Sequence, residues 1–126
     1  MGACYSVDMK IKLKDKGAAN RVLRKHIYED TGTNYNLDAF AREGIIADSF
    51  DNLMRIFLAG WKKTPFEKTE KDGWVIYSND FDASYGWNTV ILTMFELIKP
   101  YLKDGSQIII SQDNYTYTMT TQSDRR

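Results

Sequence analysis

Two residues in this sequence carry side chains that commonly serve as a nucleophile and its base, Cys4 and His26. A thiol and an imidazole form a catalytic dyad when the imidazole is placed to take the thiol proton. His26, however, shares a helical stripe with apolar residues, which favours a packed structural histidine. Since each residue type occurs once, a zinc site built from cysteine and histidine is excluded. We therefore expect no catalytic residues, no metal and no other cofactor.

Asp80 and Asp82 place two carboxylates close together ahead of a predicted helix, with Asn79 and Ser84 nearby. Such oxygens bind a divalent cation when further oxygen ligands complete the shell. Alternatively, Asp82 or Ser84 caps the helix, because short polar side chains accept hydrogen bonds from the first helical amides. Capping and solvation are favoured here. Both aspartates are also candidates for contact with a protein partner.

Aromatic residues are abundant, with eight tyrosines, three tryptophans and six phenylalanines. Most belong to the predicted core, but tyrosine and tryptophan also anchor protein interfaces. Those in polar segments are the better interface candidates: Tyr35, Tyr85, and Trp87 at the start of a helix.

Lys10, Lys12 and Lys14 alternate with apolar residues on the first predicted strand. Such a row contacts phosphates in nucleic-acid-binding sheets, although it more often forms a solvated or edge-protecting face. Seventeen basic and seventeen acidic residues give a formal net charge of zero. This balance argues against a strongly basic nucleic-acid binder and against an acidic DNA mimic.

The first half of the chain contains one predicted strand and two predicted helices. Residues 5–14 alternate between apolar and polar side chains, which predicts a half-buried strand. Asp15 caps a helix that runs to about Glu29, and Ser49 caps a second amphipathic helix. Residues 33–48 between them are polar and irregular, with one short helical turn around residues 38–42.

The second half contains two predicted hairpins around a third helix. Asp72-Gly73 joins two strands, because this dipeptide favours the positive φ angles of tight turns. Pro100 should kink or end the third helix, with Gly105 completing the stop. Asp113-Asn114 then joins the last two strands.

The resulting order is β-α-α-β-β-α-β-β within a single domain, residues 1–126. It predicts an α+β fold with a mostly antiparallel sheet of four to five strands and helices on one face. This order contains a ferredoxin-like βαββαβ core with an additional helix and an additional final strand. No apolar run reaches the ~20 residues of a membrane span, and the N-terminus lacks a signal-peptide pattern, so we expect a cytoplasmic protein.

The C-terminal third has a recognisable pattern. An apolar helix ends in Leu97-Ile-Lys-Pro-Tyr-Leu-Lys-Asp-Gly-Ser106, and Ile108 to Ile110 then lead through the Asp-Asn hairpin into Tyr115-Thr-Tyr117. This pattern resembles small uncharacterised proteins of phages and mobile elements of Gram-positive bacteria. The resemblance implies an anti-defence setting, such as an anti-CRISPR protein that blocks a host nucleoprotein. It assigns no functional residue, because the matched positions are a helix stop, a strand and a turn.

Three functions remain open at this point. The leading hypothesis is a non-enzymatic binding protein that uses its loop aromatics and mixed charges. The alternatives are an RNA- or single-strand-binding module that uses the lysine row, and a small enzyme without a recognisable motif. An exposed edge strand also allows a homodimer.

Overall fold

The computed structural model describes residues 2–29, 49–58, 67–112 and 115–121. Tyr35, the predicted turn around residues 38–42 and the Asp113-Asn114 turn lie outside this part of the chain. The elements follow in the order β1 (Gly2–Ile11), α1 (Lys16–Glu29), α2 (Phe50–Leu58), β2 (Glu67–Lys71), β3 (Trp74–Ser84), α3 (Trp87–Ile98), β4 (Gln107–Gln112) and β5 (Tyr115–Thr120), with a 3-10 turn at Lys99–Tyr101 after α3.

The five strands form one antiparallel sheet in the order β2-β3-β1-β4-β5. β1 lies at the centre and pairs along its whole length with β3. The order β2-β3-β1-β4 is the ferredoxin-like arrangement, to which α2 and the edge strand β5 are additions. The predicted α+β fold class and antiparallel sheet are therefore confirmed.

The helices cover one face of the sheet, and the strand alternation of β1 explains why. Its odd-numbered side chains from Ala3 to Ile11 are buried, whereas its even-numbered side chains from Cys4 to Lys10 are exposed. Met9 and Ile11 are fully buried against the helices. Burial of each such side chain contributes about 1.5–3 kcal/mol, so the helical layer is fixed to this one face.

Two of the predicted helix caps are confirmed. The Asp15 Oδ1 atom accepts a 3.0 Å hydrogen bond from the Ala18 amide, and the Ser49 Oγ atom accepts one of 3.2 Å from the Asn52 amide. Each side chain satisfies an amide that the first helical turn leaves without an acceptor.

The predicted cap of α3 by Asp82 or Ser84 is wrong. Both residues belong to β3, which is longer than the sequence pattern indicated because it pairs with β1 as far as Gly2. α3 instead begins after Gly86, which has a φ of 92° and makes no side-chain capping bond. Glycine tolerates this left-handed conformation because it has no Cβ atom.

The first hairpin has the predicted turn, but β1 begins and ends three residues earlier than predicted. Asp72 and Gly73 have φ angles of 56° and 84°, as a type I′ turn requires. β1 ends at Ile11 instead of Lys14. Beyond it, the Lys14 amide donates to the Tyr101 carbonyl at 2.7 Å, so the chain has left the sheet for the turn after α3.

No helix in the described parts of the chain is both long enough and apolar enough to span a membrane.

Candidate binding surface

The face of the sheet opposite the helices has no covering layer among the described elements, and we call it the open face. Because side chains alternate along each strand, the pairing register assigns its members. They are Glu67, Thr69 and Lys71 of β2, Trp74, Ile76, Ser78, Asp80 and Asp82 of β3, Cys4, Ser6, Asp8 and Lys10 of β1, Gln107, Ile109 and Ser111 of β4, and Thr116, Thr118 and Thr120 of β5.

Three carboxylates lie on β1 and β3 toward one end of the open face, and each accepts a hydrogen bond from the neighbouring strand. Ser6 Oγ donates to Asp80 Oδ1 at 2.7 Å. Ser78 Oγ donates to Asp8 Oδ1 at 2.6 Å. Cys4 Sγ donates to Asp82 Oδ1 at 3.1 Å.

We call Asp8, Asp80 and Asp82 the acidic end. Each of their donors is the directly opposite residue in the β1-β3 register, so the pairing of two distant strands creates all three contacts. The donors are neutral, and no lysine or arginine in the described residues forms an ion pair with these carboxylates. The acidic end therefore presents fixed negative charge to the surroundings.

The other end of the open face combines lysines with a tryptophan. The Nζ atoms of Lys10 and Lys12 lie 5.1 and 5.9 Å from the centroid of the Trp74 ring. An ammonium at this distance is attracted to the negative face of an aromatic ring. Lys71 lies opposite Trp74 in the register and adds a third cation to this basic end.

A turn glycine makes room for the Trp74 ring. A Cβ atom on Gly105 would lie 3.3 Å from Trp74 Cη2, and Gly105 has a φ of 96°. Both the close approach and the backbone angle therefore require glycine at this position.

The charges of the open face are thus sorted along the strands. β1 carries Cys4, Asp8 and Lys10 in that order and Lys12 follows just after its end, while antiparallel β3 runs back from Trp74 to Asp82. The eight residue steps from Cys4 to Lys12 span about 27 Å of extended chain. The sequence has a net charge of zero, but the open face has a negative half and a positive half.

The predicted interface aromatics fall in different places. Tyr85 is 61% exposed and follows directly on β3, at the end that carries Asp82. Trp87 is only 8% exposed, so the prediction of a surface aromatic at this position is corrected. Its Nε1–H donates to the Phe57 carbonyl at 2.8 Å, because α3 packs its first turn against the end of α2.

The predicted lysine row is divided between two places. Lys10 on β1 and Lys12 just after it lie over Trp74, whereas Lys14 lies farther along the chain, beside the turn after α3. Lys14 lines a shallow cleft of about 360 Å³ with Glu96, Lys99, Pro100, Leu102, Asp104 and Thr121. The cleft has amines and carboxylates on its walls, but the described residues of its lining include no thiol and no imidazole.

Cys4 and His26 lie on opposite sides of the sheet. Cys4 is on the open face, where its thiol donates to Asp82, and His26 is on α1 in the helical layer. The structure therefore does not bring the two residues together as a dyad. Within the described residues, no group of three or more histidine, cysteine, aspartate or glutamate side chains is arranged to hold a metal ion.

The most perturbed ionisable groups anchor α2 to the sheet. Asp51 accepts hydrogen bonds of 2.7 Å from the Tyr77 hydroxyl and 2.8 Å from Lys68 Nζ. Burial disfavours ionisation of Asp51, but the bonds from Lys68 and Tyr77 outweigh it and hold its pKa below the usual value. Burial, with the Asp51 charge added, strongly raises the pKa of Tyr77, and the bond to Asp51 raises the pKa of Lys68.

Asp8, Lys71 and Trp74 belong to the two charged ends of the open face, and sequence reasoning did not select them as site residues. The alternation of β1 already placed Asp8 on the polar side with the lysines. Its proximity to Asp80 and Asp82 depends on which strands pair, and the sequence pattern of each strand taken alone does not reveal this.

Comparison of the chain with family models, with curated proteins and with solved structures found no match in any of the three.

Proposed function

We propose that this protein acts by binding another protein through the open face of its sheet. The observation that carries the proposal is the division of this face into the acidic end and the basic end around Trp74. A complementary arrangement of charges aligns a partner and selects against others without requiring any net charge.

The acidic end supports a contact with basic side chains of the partner. Asp8, Asp80 and Asp82 are already held by their neighbours, so little side-chain freedom is lost when a partner binds. Tyr85, next to this end, adds an exposed aromatic of the kind that often dominates binding energy. The partner surface then has lysine or arginine opposite the carboxylates and acidic residues opposite Lys10 and Lys12.

The resemblance of the C-terminal third supports a biological setting for this binding. Small proteins of phages and mobile elements include inhibitors that occupy a surface of a host defence complex. In that setting the open face is the surface that covers the target, and the protein needs no catalysis.

The test compares the native protein with an Asp80→Asn/Asp82→Asn variant. Both are tagged and used to retain proteins from a lysate of the cells that encode them, with and without nuclease. We expect the native protein to retain one stoichiometric protein partner after nuclease treatment. The variant should retain at least tenfold less, since two fixed charges are lost from the contact.

Asp72→Asn/Asp104→Asn is the matched control, because it removes the same charge from two exposed turn residues outside the acidic end. It should retain as much partner as the native protein. Equal retention by all three proteins would contradict the role of the acidic end. Recovery of the bare protein in every case would contradict protein binding itself.

A second candidate function is binding of single-stranded nucleic acid at the basic end. Lys10, Lys12 and Trp74 combine cations with an aromatic ring, as single-strand-binding sheets do. It ranks second because a strand that continues along the sheet meets the carboxylates of the acidic end. This function predicts retention of labelled single-stranded RNA that falls steeply with salt and is lost in Lys10→Gln/Lys12→Gln.

A further inference from the structure

The two edges of the sheet differ sharply in charge. β2 forms one edge, and four of its five residues are charged: Glu67, Lys68, Glu70 and Lys71. Charged edge strands resist pairing with another sheet. β5 forms the other edge with the sequence Tyr-Thr-Tyr-Thr-Met-Thr and has no charged residue.

The hydrogen-bonding pattern of the last hairpin shows which backbone groups β5 directs outward. The Thr121 amide donates to the Ser106 carbonyl at 3.0 Å, so the backbone of this odd-numbered residue is turned toward the β4 side. Backbone direction alternates along an antiparallel strand. The amides and carbonyls of Thr116, Thr118 and Thr120 therefore point away from β4, and no other strand of the described residues pairs with them.

β5 is complementary to a second copy of itself in one register. When Thr118 lies opposite Thr118 of the second copy, Thr116 lies opposite Thr120, and all three outward threonines join the hydrogen-bond ladder. When Tyr117 instead lies opposite Tyr117 of the second copy, Thr116 lies opposite Thr118, and Thr120 has no partner within β5. The Thr118 register is therefore the more favourable one.

The side chains fit the same register. Threonine meets threonine on the open face, where such cross-strand pairs stabilise a sheet. On the other face Tyr117 meets Met119 of the second copy, which is a favourable contact between sulfur and an aromatic ring. Neither face of this register brings like charges together, because β5 has no charged residue.

We propose that the chain forms a two-fold symmetric dimer by pairing β5 with β5, so that two five-stranded sheets become one continuous sheet. The two-fold axis passes midway between the two Thr118 residues, perpendicular to the sheet. Both open faces then lie on the same side of the dimer. The edge strand carries this proposal, which holds whether or not the open face binds a protein.

The first experiment measures molar mass by sedimentation equilibrium over a dilution series. We expect the apparent molar mass of the native protein to rise with concentration from 14.6 kDa toward twice that mass. Thr118→Lys should stay monomeric, because it places two ammonium groups at the two-fold axis. Thr69→Lys, the same change on the same face of the charged edge, should behave as the native protein does. A native protein that stays monomeric up to millimolar concentration would overturn the proposal.

The second experiment tests the register without relying on a charged variant. In a Cys4→Ser background, which keeps a donor to Asp82, one cysteine is placed at either position 118 or position 116. Hydrogen-bonded pairs bring Cα atoms to about 5.5 Å, within disulfide range, so Thr118→Cys should cross-link under mild oxidation. Thr116→Cys should not, because Thr120 lies opposite it. Equal cross-linking of both variants, or of neither, would overturn the register.

Discussion

The hydroxyl of Ser6 donates a 2.7 Å hydrogen bond to Asp80, a residue 74 positions away in the sequence. The bond exists because β1 is inserted between β3 and β4, which places Ser6 directly opposite Asp80. Two further contacts of this kind, at Asp8 and Asp82, give the open face its acidic end. A hydroxyl or thiol orients a carboxylate without cancelling its charge, so these residues stay available to a partner.

Tyr85 should contribute to partner affinity and not to folding. Tyr85→Ala is expected to weaken partner retention by about five- to thirty-fold, the effect of losing an aromatic anchor worth about 1–2 kcal/mol. Its unfolding free energy in urea should change by less than about 0.5 kcal/mol, because the side chain is exposed.

The control for Tyr85 is Tyr115→Ala. Tyr115 is 65% exposed, similar to Tyr85, but it lies on the helix-bearing side of β5. The Tyr115→Ala variant should retain as much partner as the native protein. Equal losses in the two variants would remove Tyr85 from the proposed contact.

Trp87 should matter for folding. Trp87→Phe keeps the ring in the core but removes the donor to the Phe57 carbonyl, at a cost of about 1–3 kcal/mol. Trp87→Ala should cost about 3–5 kcal/mol, since it also leaves a cavity. Urea unfolding measures both values. A change below about 0.5 kcal/mol in both variants would show that Trp87 is not the buried residue described above.

Asp51 should make the free energy of unfolding depend on pH in the acidic range. Because its pKa is lowered in the fold, its contribution is present above the ordinary aspartate pKa of about 3.9 and is lost as pH falls toward the lowered value. Asp51→Asn should cost about 1–3 kcal/mol of unfolding free energy at neutral pH, since the buried Tyr77 hydroxyl and Lys68 lose this charged acceptor.

The difference between the native protein and Asp51→Asn should shrink when unfolding is repeated at about pH 3. Asp104→Asn serves as the control, since Asp104 is exposed in a turn, and it should change stability by less than about 0.5 kcal/mol at neutral pH. An Asp51→Asn difference that is the same at both pH values would contradict the ionic role of Asp51.

The same substitution at two glycines should have opposite effects. Gly105→Ala is expected to destabilise the protein by about 1–3 kcal/mol, because alanine is strained at a φ of 96° and its Cβ atom would press on Trp74. Gly17→Ala should stabilise it by up to about 1 kcal/mol, since Gly17 lies in α1 and its added Cβ atom meets only ordinary contacts at 3.5 and 3.6 Å. Thermal unfolding of both variants measures whether each substitution lowers or raises stability.

Local patterns in the sequence were sufficient for most of the secondary structure. The caps at Asp15 and Ser49 and the turn at Asp72-Gly73 were predicted correctly, because each depends on contacts within a few residues. The predicted cap at Asp82 was wrong because the length of β3 depends on pairing with β1, which is remote in sequence. The predicted end of β1 at Lys14 was wrong for a related reason, since the Lys14 amide bonds to the turn after α3 and not to the sheet.

The sequence by itself determined which side chains of β1 are polar, that the net charge is zero, and that the order of elements suits a ferredoxin-like sheet. These follow from periodicity and composition. Only the tertiary structure decided that Asp8, Asp80 and Asp82 lie together, that Lys10 and Lys12 share Trp74, and that Trp87 is buried. The physical reason is strand pairing: the register between β1 and β3 joins residues 64 to 82 positions apart, and no local pattern encodes that register.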